Sequence, residues 1–184
     1  MLGHVFDDLP LRLQQIHSSD GPQLWKGSAR VQRGKGLLAL VLVTLFGFPQ
    51  SADDVPVRVG RLSADGVELW TRDFGGKTFS TTQSLGQGSE SHLLIERFGA
   101  VSIALALVKE GDRLFFIPRG WRIFGLPLPA FLLPSGRSYE TETDGKFCFN
   151  VEISVPLIGL VVAYRGLLTP VVTGNVPSAN RSLV

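Results

Sequence analysis

The sequence predicts a mainly β, α+β domain. It is an antiparallel meander of about eight to ten strands, curved or closed into a barrel, with an N-terminal helix and one apolar helix capping it or packed on it. Three observations predict this. From Val55 onward apolar and polar residues alternate with period two, which places one face of each strand in a core. Turn dipeptides recur about every ten residues: Asp65-Gly66, Gly75-Gly76 and Asp144-Gly145, with Phe98-Gly99 and Glu110-Gly111 as weaker versions. Ahead of the meander, two segments carry helical signals instead.

The elements follow in order. Asp7-Asp8-Leu9-Pro10 reads as a helix start, because Asp is a good N-cap and Pro is tolerated in the first turn. Leu9, Leu13, Ile16 and His17 then share one face, and Asp20-Gly21-Pro22 ends the helix. Residues 25–33 read as a strand, and Gly34-Lys35-Gly36 as a turn. Residues 37–46 are Leu-rich, with Thr44 the one polar side chain, and stop at Gly47 ahead of Pro49, which predicts a helix. A helix apolar all round is enclosed by protein or touches lipid. Strands are expected near 55–64, 67–74, 77–84, 91–98, 100–109, 112–120, 137–143, 146–155 and 160–168. Between two of them, residues 121–133 hold Pro127 and Pro129, which rule out a long helix and predict an ordered apolar loop with one helical turn. Residues 1–173 are expected to form a single barrel-like domain, and the polar tail 174–184 to be flexible.

Composition narrows the function classes. The formal net charge is +2, from 18 Lys and Arg against 16 Asp and Glu. That excludes an acidic disordered segment and argues against nucleic acid, which wants a basic stripe. The single cysteine, Cys148, excludes an internal disulfide and a Cys-based zinc site. The apolar run 37–46 is half of the roughly 20 residues a membrane-spanning helix needs. Asp7 and Asp8 stand where a secretory signal would be basic and then apolar. The expectation is a soluble cytoplasmic protein.

Two-residue turns fix register, and directly opposed residues share a face. Around Asp65-Gly66, Val57 should oppose Phe74, Val59 Arg72, and Arg61 Trp70. Around Gly75-Gly76, Arg72 should oppose Phe79. One face then carries Val57, Val59, Trp70, Phe74 and Phe79 with Arg72 among them. The other carries Arg58 opposite Asp73, an exposed ion pair. Around Asp144-Gly145, Glu142 should oppose Phe147 and Glu140 Phe149, so two carboxylates point with the core-facing Phe147, Phe149, Val151, Ile153 and Val155. The offset also sets Arg137 opposite Glu152. Two explanations stand for the inward charges: hairpin tips overhanging the core, or a polar patch that orients the head of an apolar ligand. The strand 101–108 is apolar on both faces. Its small residues Ser102, Ala104 and Ala106 invite close approach, and the 37–46 helix is the expected visitor.

No nucleophile motif, metal-binding His pair or nucleotide loop is present, and the three histidines are far apart. Arginines outnumber lysines 13 to 5, and Trp70-Thr71-Arg72, Arg119-Gly120-Trp121-Arg122 and Tyr164-Arg165-Gly166 set aromatic beside basic residues.

The ordered series from Trp70 to Phe79, Glu96-Arg97-Phe98-Gly99, Arg119-Gly120-Trp121 with Gly125-Leu126-Pro127-Leu128-Pro129, Asp144-Gly145-Lys146-Phe147 and Tyr164-Arg165-Gly166 resembles the bacterial family called domain of unknown function 4166. The Leu9-Pro10 helix and the Ala29-Arg30-Val31 strand fit it too, so the likeness spans nearly the whole chain except the tail. Members often follow a saccharopine-dehydrogenase-like Rossmann module. The resemblance implies a possible reductase partner and brings no catalytic residues.

A non-catalytic binding module for an apolar or lipid-like molecule is the expected function, with no cofactor and no metal. The nominated ligand-binding residues are Trp70, Arg72, Phe79, Trp121, Glu140, Glu142 and Phe149. An accessory domain docking on a saccharopine-dehydrogenase-like oxidoreductase comes second. An enzyme using Glu140, Glu142 and Arg72 in the barrel cavity comes third. A peripheral membrane protein inserting 37–46, with Arg30, Arg33 and Lys35 facing anionic lipid, comes fourth.

Overall fold

A computed structural model describes residues 6–18 and 21–171; the tail expected to be flexible lies outside them. The chain runs α1 (Leu11–His17), β1 (Gln23–Arg33), α2 (Leu37–Leu45), β2 (Ala52–Ala64), β3 (Val67–Phe74), β4 (Lys77–Leu85) and β5 (Leu94–Phe98). It continues through β6 (Val101–Glu110), β7 (Arg113–Ile123), β8 (Leu126–Pro127), β9 (Tyr139–Thr143), β10 (Lys146–Val155) and β11 (Gly159–Pro170). Short 3-10 turns lie at Gly88–Glu90 and Ala130–Leu132.

Ten antiparallel strands close into a barrel in the order β6-β5-β4-β3-β2-β1-β11-β10-β9-β7, with β7 returning to β6; β8 is an extra strand on β7. Closure removes the exposed edges that a long sheet otherwise presents. The ladders are unequal. β7 meets β9 only at Leu114–Glu140 and Phe115–Tyr139, extended by the Phe116 N–H donating to Ser138 O at 3.0 Å.

The hairpin registers are those the turn dipeptides dictate. Val57 faces Phe74, Val59 faces Arg72, Arg61 faces Trp70, and Glu140 and Glu142 face Phe149 and Phe147. Asp65 and Gly66, like Asp144 and Gly145, both have positive φ, which suits the right-handed twist of the flanking strands. Arg137 lies beyond the β9 ladder, yet the offset that sets Asn150 opposite Tyr139 recurs at the Ser135–Ser154 bridge. Arg58 and Asp73 are ladder neighbours without the expected ion pair: Asp73 Oδ1 instead accepts from the Gly76 N–H at 2.7 Å and closes the β3–β4 turn.

Three further expectations need correction. Asp7 and Asp8 do not cap α1; Pro10 holds the N-cap position and supplies no side-chain cap. The strand expected from residue 91 starts at Leu94, because residues 88–93 form a 3-10 turn and bend. The small-residue face of β6 is not covered by α2. Leu93 and Ile95 pack on Ala104 and Ala106 there, because the 86–93 connection folds back over the outer surface. α2 lies instead against β11 and β1, where Gly34 lets the chain pass within reach of Leu160.

The interior is filled from the α1 side. Leu9, Leu13 and Ile16 project into a core with Trp25, Val57, Trp70, Phe147, Val162 and Leu168. Full burial of each such side chain stabilises by roughly 1.5–3 kcal/mol. Gly166 allows the tight packing of Phe149, whose Cζ would come within 2.7 Å of any Cβ there.

The topology sorts the connections to two ends. α1 and the connections 65–66, 86–93, 111–112 and 144–145 belong to one end. The other end holds α2 within 34–51, together with 75–76, 99–100, 124–138 and 156–158. No helix of the described residues is long and apolar enough to cross a membrane.

Candidate functional site

Within the barrel lies a cavity of about 360 Å³, lined by α2, β3 to β7 and β9 to β11. Its walls are mostly apolar: Leu42 and Phe46 of α2, Phe79, Phe98, Ile103, Leu105, Phe116, Ile153 and Val155. Phe46, Phe48, Phe79 and Phe98 form a mutually packed aromatic group, the Phe46 and Phe98 rings 5.1 Å apart.

A bulge in β7 shapes the wall. Leu105 pairs with Pro118 but Ala104 pairs with Gly120, which leaves Arg119 as the extra residue. The inward parity therefore changes, and Phe116, Pro118, Trp121 and Ile123 all reach the cavity. Trp121 Nε1 donates to Pro129 O at 3.4 Å, which ties the wall to the 124–138 connection.

One side of the cavity is polar. Arg72 donates from Nη1 to Thr81 Oγ1 at 2.8 Å and approaches Glu96 with Nη2 at 3.6 Å; Gln83 Nε2 donates to the same Glu96 oxygen at 3.3 Å. The guanidinium lies over Trp70 and Phe79, 5.6 and 5.9 Å from their centroids, within cation–π range of both. Tyr164 is buried beside this group. Burial pushes its hydroxyl up to about 12; Arg72 draws it down, and Glu96 and Glu140 add to the rise. Glu140 Oε2 lies 2.5 Å from His17 Nε2 of α1, and His17 packs against Trp70 at 5.6 Å.

Of the nominated residues, Arg72, Phe79, Trp121 and Glu140 line the cavity. Trp70 lies behind Arg72, with its Nε1 donating to Glu68 at 3.0 Å. Phe149 is core, edge-on to Tyr164. Glu142 turns to α1, where it accepts the Arg12 backbone N–H at 2.9 Å. The two carboxylates on one strand thus serve different partners, and neither is the partner of Arg72. Glu96, Thr81, Gln83 and Tyr164 complete the polar side and were not nominated. Alternation along β4 puts Thr81 and Gln83 on the face of Phe79, which is the signal that finds them. Among the described residues no group of three His, Cys, Asp or Glu is placed to hold a metal.

A family model described as a domain of unknown function (DUF4166) matches residues 9–168. The chain belongs to that family. The match to DUF4166 takes in α1 and reaches into β11, so it covers the plug as well as the closed ring. No curated protein matches the chain.

Proposed function

We propose that this DUF4166 barrel binds one apolar, lipid-like molecule in its interior, with the acyl or ring portion against the phenylalanine walls and a polar head at Arg72, Glu96 and Tyr164. The cavity carries the reading. Its 360 Å³ falls in the range of about 300–1,000 Å³ for small-molecule sites, and its make-up follows their pattern of apolar walls with a few convergent polar groups. The head is uncharged or zwitterionic, because Arg72 already faces Glu96 and Glu140 already meets His17. Glu142, which an acid–base pair would need beside Glu140, is committed to the α1 N-terminus.

Native mass spectrometry of the purified protein tests this directly, with organic extraction of what it carries. The expected result is an added mass that extraction removes. Ile103→Trp should fill the cavity and abolish the adduct while the protein stays folded. A wild-type protein that carries nothing, and whose melting temperature does not move with fatty alcohols or monoacylglycerols, overturns the proposal.

A further inference from the structure

We propose that the α2 end of the barrel docks on an anionic lipid bilayer, with the outer face of α2 and the tips of the 124–138 and 156–158 connections in the interfacial layer.

The outer face of α2 is the first observation. Ala39 and Val43 are buried and Leu42 and Phe46 turn to the cavity, which leaves Leu37, Leu38, Leu40, Val41 and Leu45 facing outward; Leu37 is 78% and Leu45 74% exposed. Thr44, the one polar side chain on the helix, donates its hydroxyl back to Leu40 O at 2.8 Å and so has no donor to offer outward. Phe124, Leu126 and Phe131 on the 124–138 connection and Leu157 on 156–158 are also exposed, Leu157 to 96%. All belong to the same end of the barrel. Exposed apolar side chains gathered at one end in this number mark an interaction face.

Charge is the second observation, and it is independent of the first. The α1-end connections 111–112 and 144–145 carry Asp112 and Asp144, while Asp65 and Glu90 reach the side of Phe124, with Glu90 neutralised by Arg122 at 2.8 Å. At the α2 end the five connections hold no acidic residue and two exposed basic ones, Lys35 and Arg137, the second lying over the Phe115 and Tyr139 rings at 5.8 and 6.0 Å. Charges just inside the strands there are mostly committed. Arg30 meets Asp53 at 2.8 Å, Asp73 holds Gly76, and Arg33 donates to Phe48 O and Pro49 O, while Asp54 and Lys77 add one charge of each sign. The face offered outward is apolar and weakly cationic, which complements an anionic membrane surface.

The occupant is a bilayer rather than a protein because of what the face lacks. A specific protein interface carries about one hydrogen bond per 100–200 Å². The outer side chains of α2 and the four loop residues offer no free donor, and the Thr44 hydroxyl oxygen is their one acceptor. A fluid apolar phase needs none. Docked this way, the Leu42–Phe46 side of the cavity faces the membrane. A lipid then enters without crossing water, a consequence that rests on the binding function proposed above.

Co-sedimentation of the full chain with vesicles tests the docking. The vesicles are phosphatidylcholine alone and an equal mixture with phosphatidylglycerol. The expected result is salt-sensitive binding to the mixture and weaker binding to phosphatidylcholine. Leu37→Asp with Val41→Asp should lower binding at least tenfold with an unchanged melting temperature, since both side chains are exposed. Leu11→Asp, an exposed apolar site on α1, should bind as wild type does. Absence of binding to either vesicle overturns the proposal, as does equal binding by the double variant. So does a wild-type dimer or reductase complex that the double variant disperses, without vesicle binding, which would make the face a protein interface. Mass spectrometry separates the two proposals: bound lipid without vesicle binding removes the docking alone, and vesicle binding by an empty barrel removes the ligand alone.

Discussion

Glu142 Oε2 accepts a hydrogen bond from the backbone N–H of Arg12 at 2.9 Å, across 130 residues of chain. The first-turn N–H groups of a helix have no partner within it, and a carboxylate there also meets the positive end of the helix dipole. Arg12 returns the contact, its Nε donating to Gly145 O at 2.7 Å. The β9–β10 hairpin thus holds the plug in the barrel. Glu142→Ala should destabilise the protein by about 1 kcal/mol in urea unfolding, the usual value of a lost cap. Ligand content should stay as in wild type, since Glu142 does not line the cavity.

Val43 and Leu40 lie three residues apart on α2 and should respond in opposite ways. Val43 is fully buried and Leu40 is 44% exposed. Val43→Ala removes packed methyl groups and should lower stability by roughly 2 kcal/mol. Leu40→Asp, despite its charge, should shift stability by less than about 1 kcal/mol. A larger loss for Leu40→Asp in thermal melts would mean that protein covers the helix on that side.

Arg61 is the most deeply buried charge among the described residues. Its guanidinium donates to Ser18 O just past α1 and lies 3.8 Å from Glu68 Oε1, while its Nε has no partner. Arg61→Met should destabilise by about 3 kcal/mol, because it strands the half-buried Glu68 and frees the end of α1. Adding Glu68→Gln should recover part of that loss, which a double-mutant cycle measures.

Tyr164 makes stability depend on alkaline pH. Its hydroxyl is held near 12, against about 10 in the unfolded chain. The folded state therefore keeps its proton where the unfolded state has lost it. The stabilisation is whole below pH 10, and falls as pH rises from about 10 through about 12, by an amount on the order of 2 kcal/mol. Tyr164→Phe should flatten stability against pH over that window. An unchanged slope in the variant would assign the alkaline loss to other groups.

The strands and three hairpin registers were legible because period-two patterns and Gly-containing turns act locally. Asp65-Gly66 sets the place of every residue from Val57 to Phe74, including the inward Arg72. The partner of Arg72 was not legible. Glu96 reaches it from β5, across the eight-residue 86–93 connection, whose length leaves register free. Trp121 was found for its aromatic–basic neighbourhood, whereas its inward direction depends on a bulge at Arg119 that no turn signal announces. Glu140 and Glu142 were correctly set inward, but α1, which takes up one through His17 and the other through Arg12, returns from the far end of the chain. The exposed side of α2 followed from its uninterrupted apolar run, which names the choice between enclosure and lipid without making it.

A closed ring opens at its weakest joint, and here that joint is the short ladder between β7 and β9. Two residue pairs and the Phe116–Ser138 hydrogen bond close it, while the β6–β7 and β10–β11 ladders run the length of their strands. Phe116 and Tyr139 stand both at this joint and in the cavity wall. Opening of the wall here is a local parting of a few backbone hydrogen bonds. Its frequency is decoupled from the global unfolding of the barrel. The amide protons of Phe116 and Glu140, which the alternation of the ladder turns toward the seam, should exchange orders of magnitude faster than those of β1.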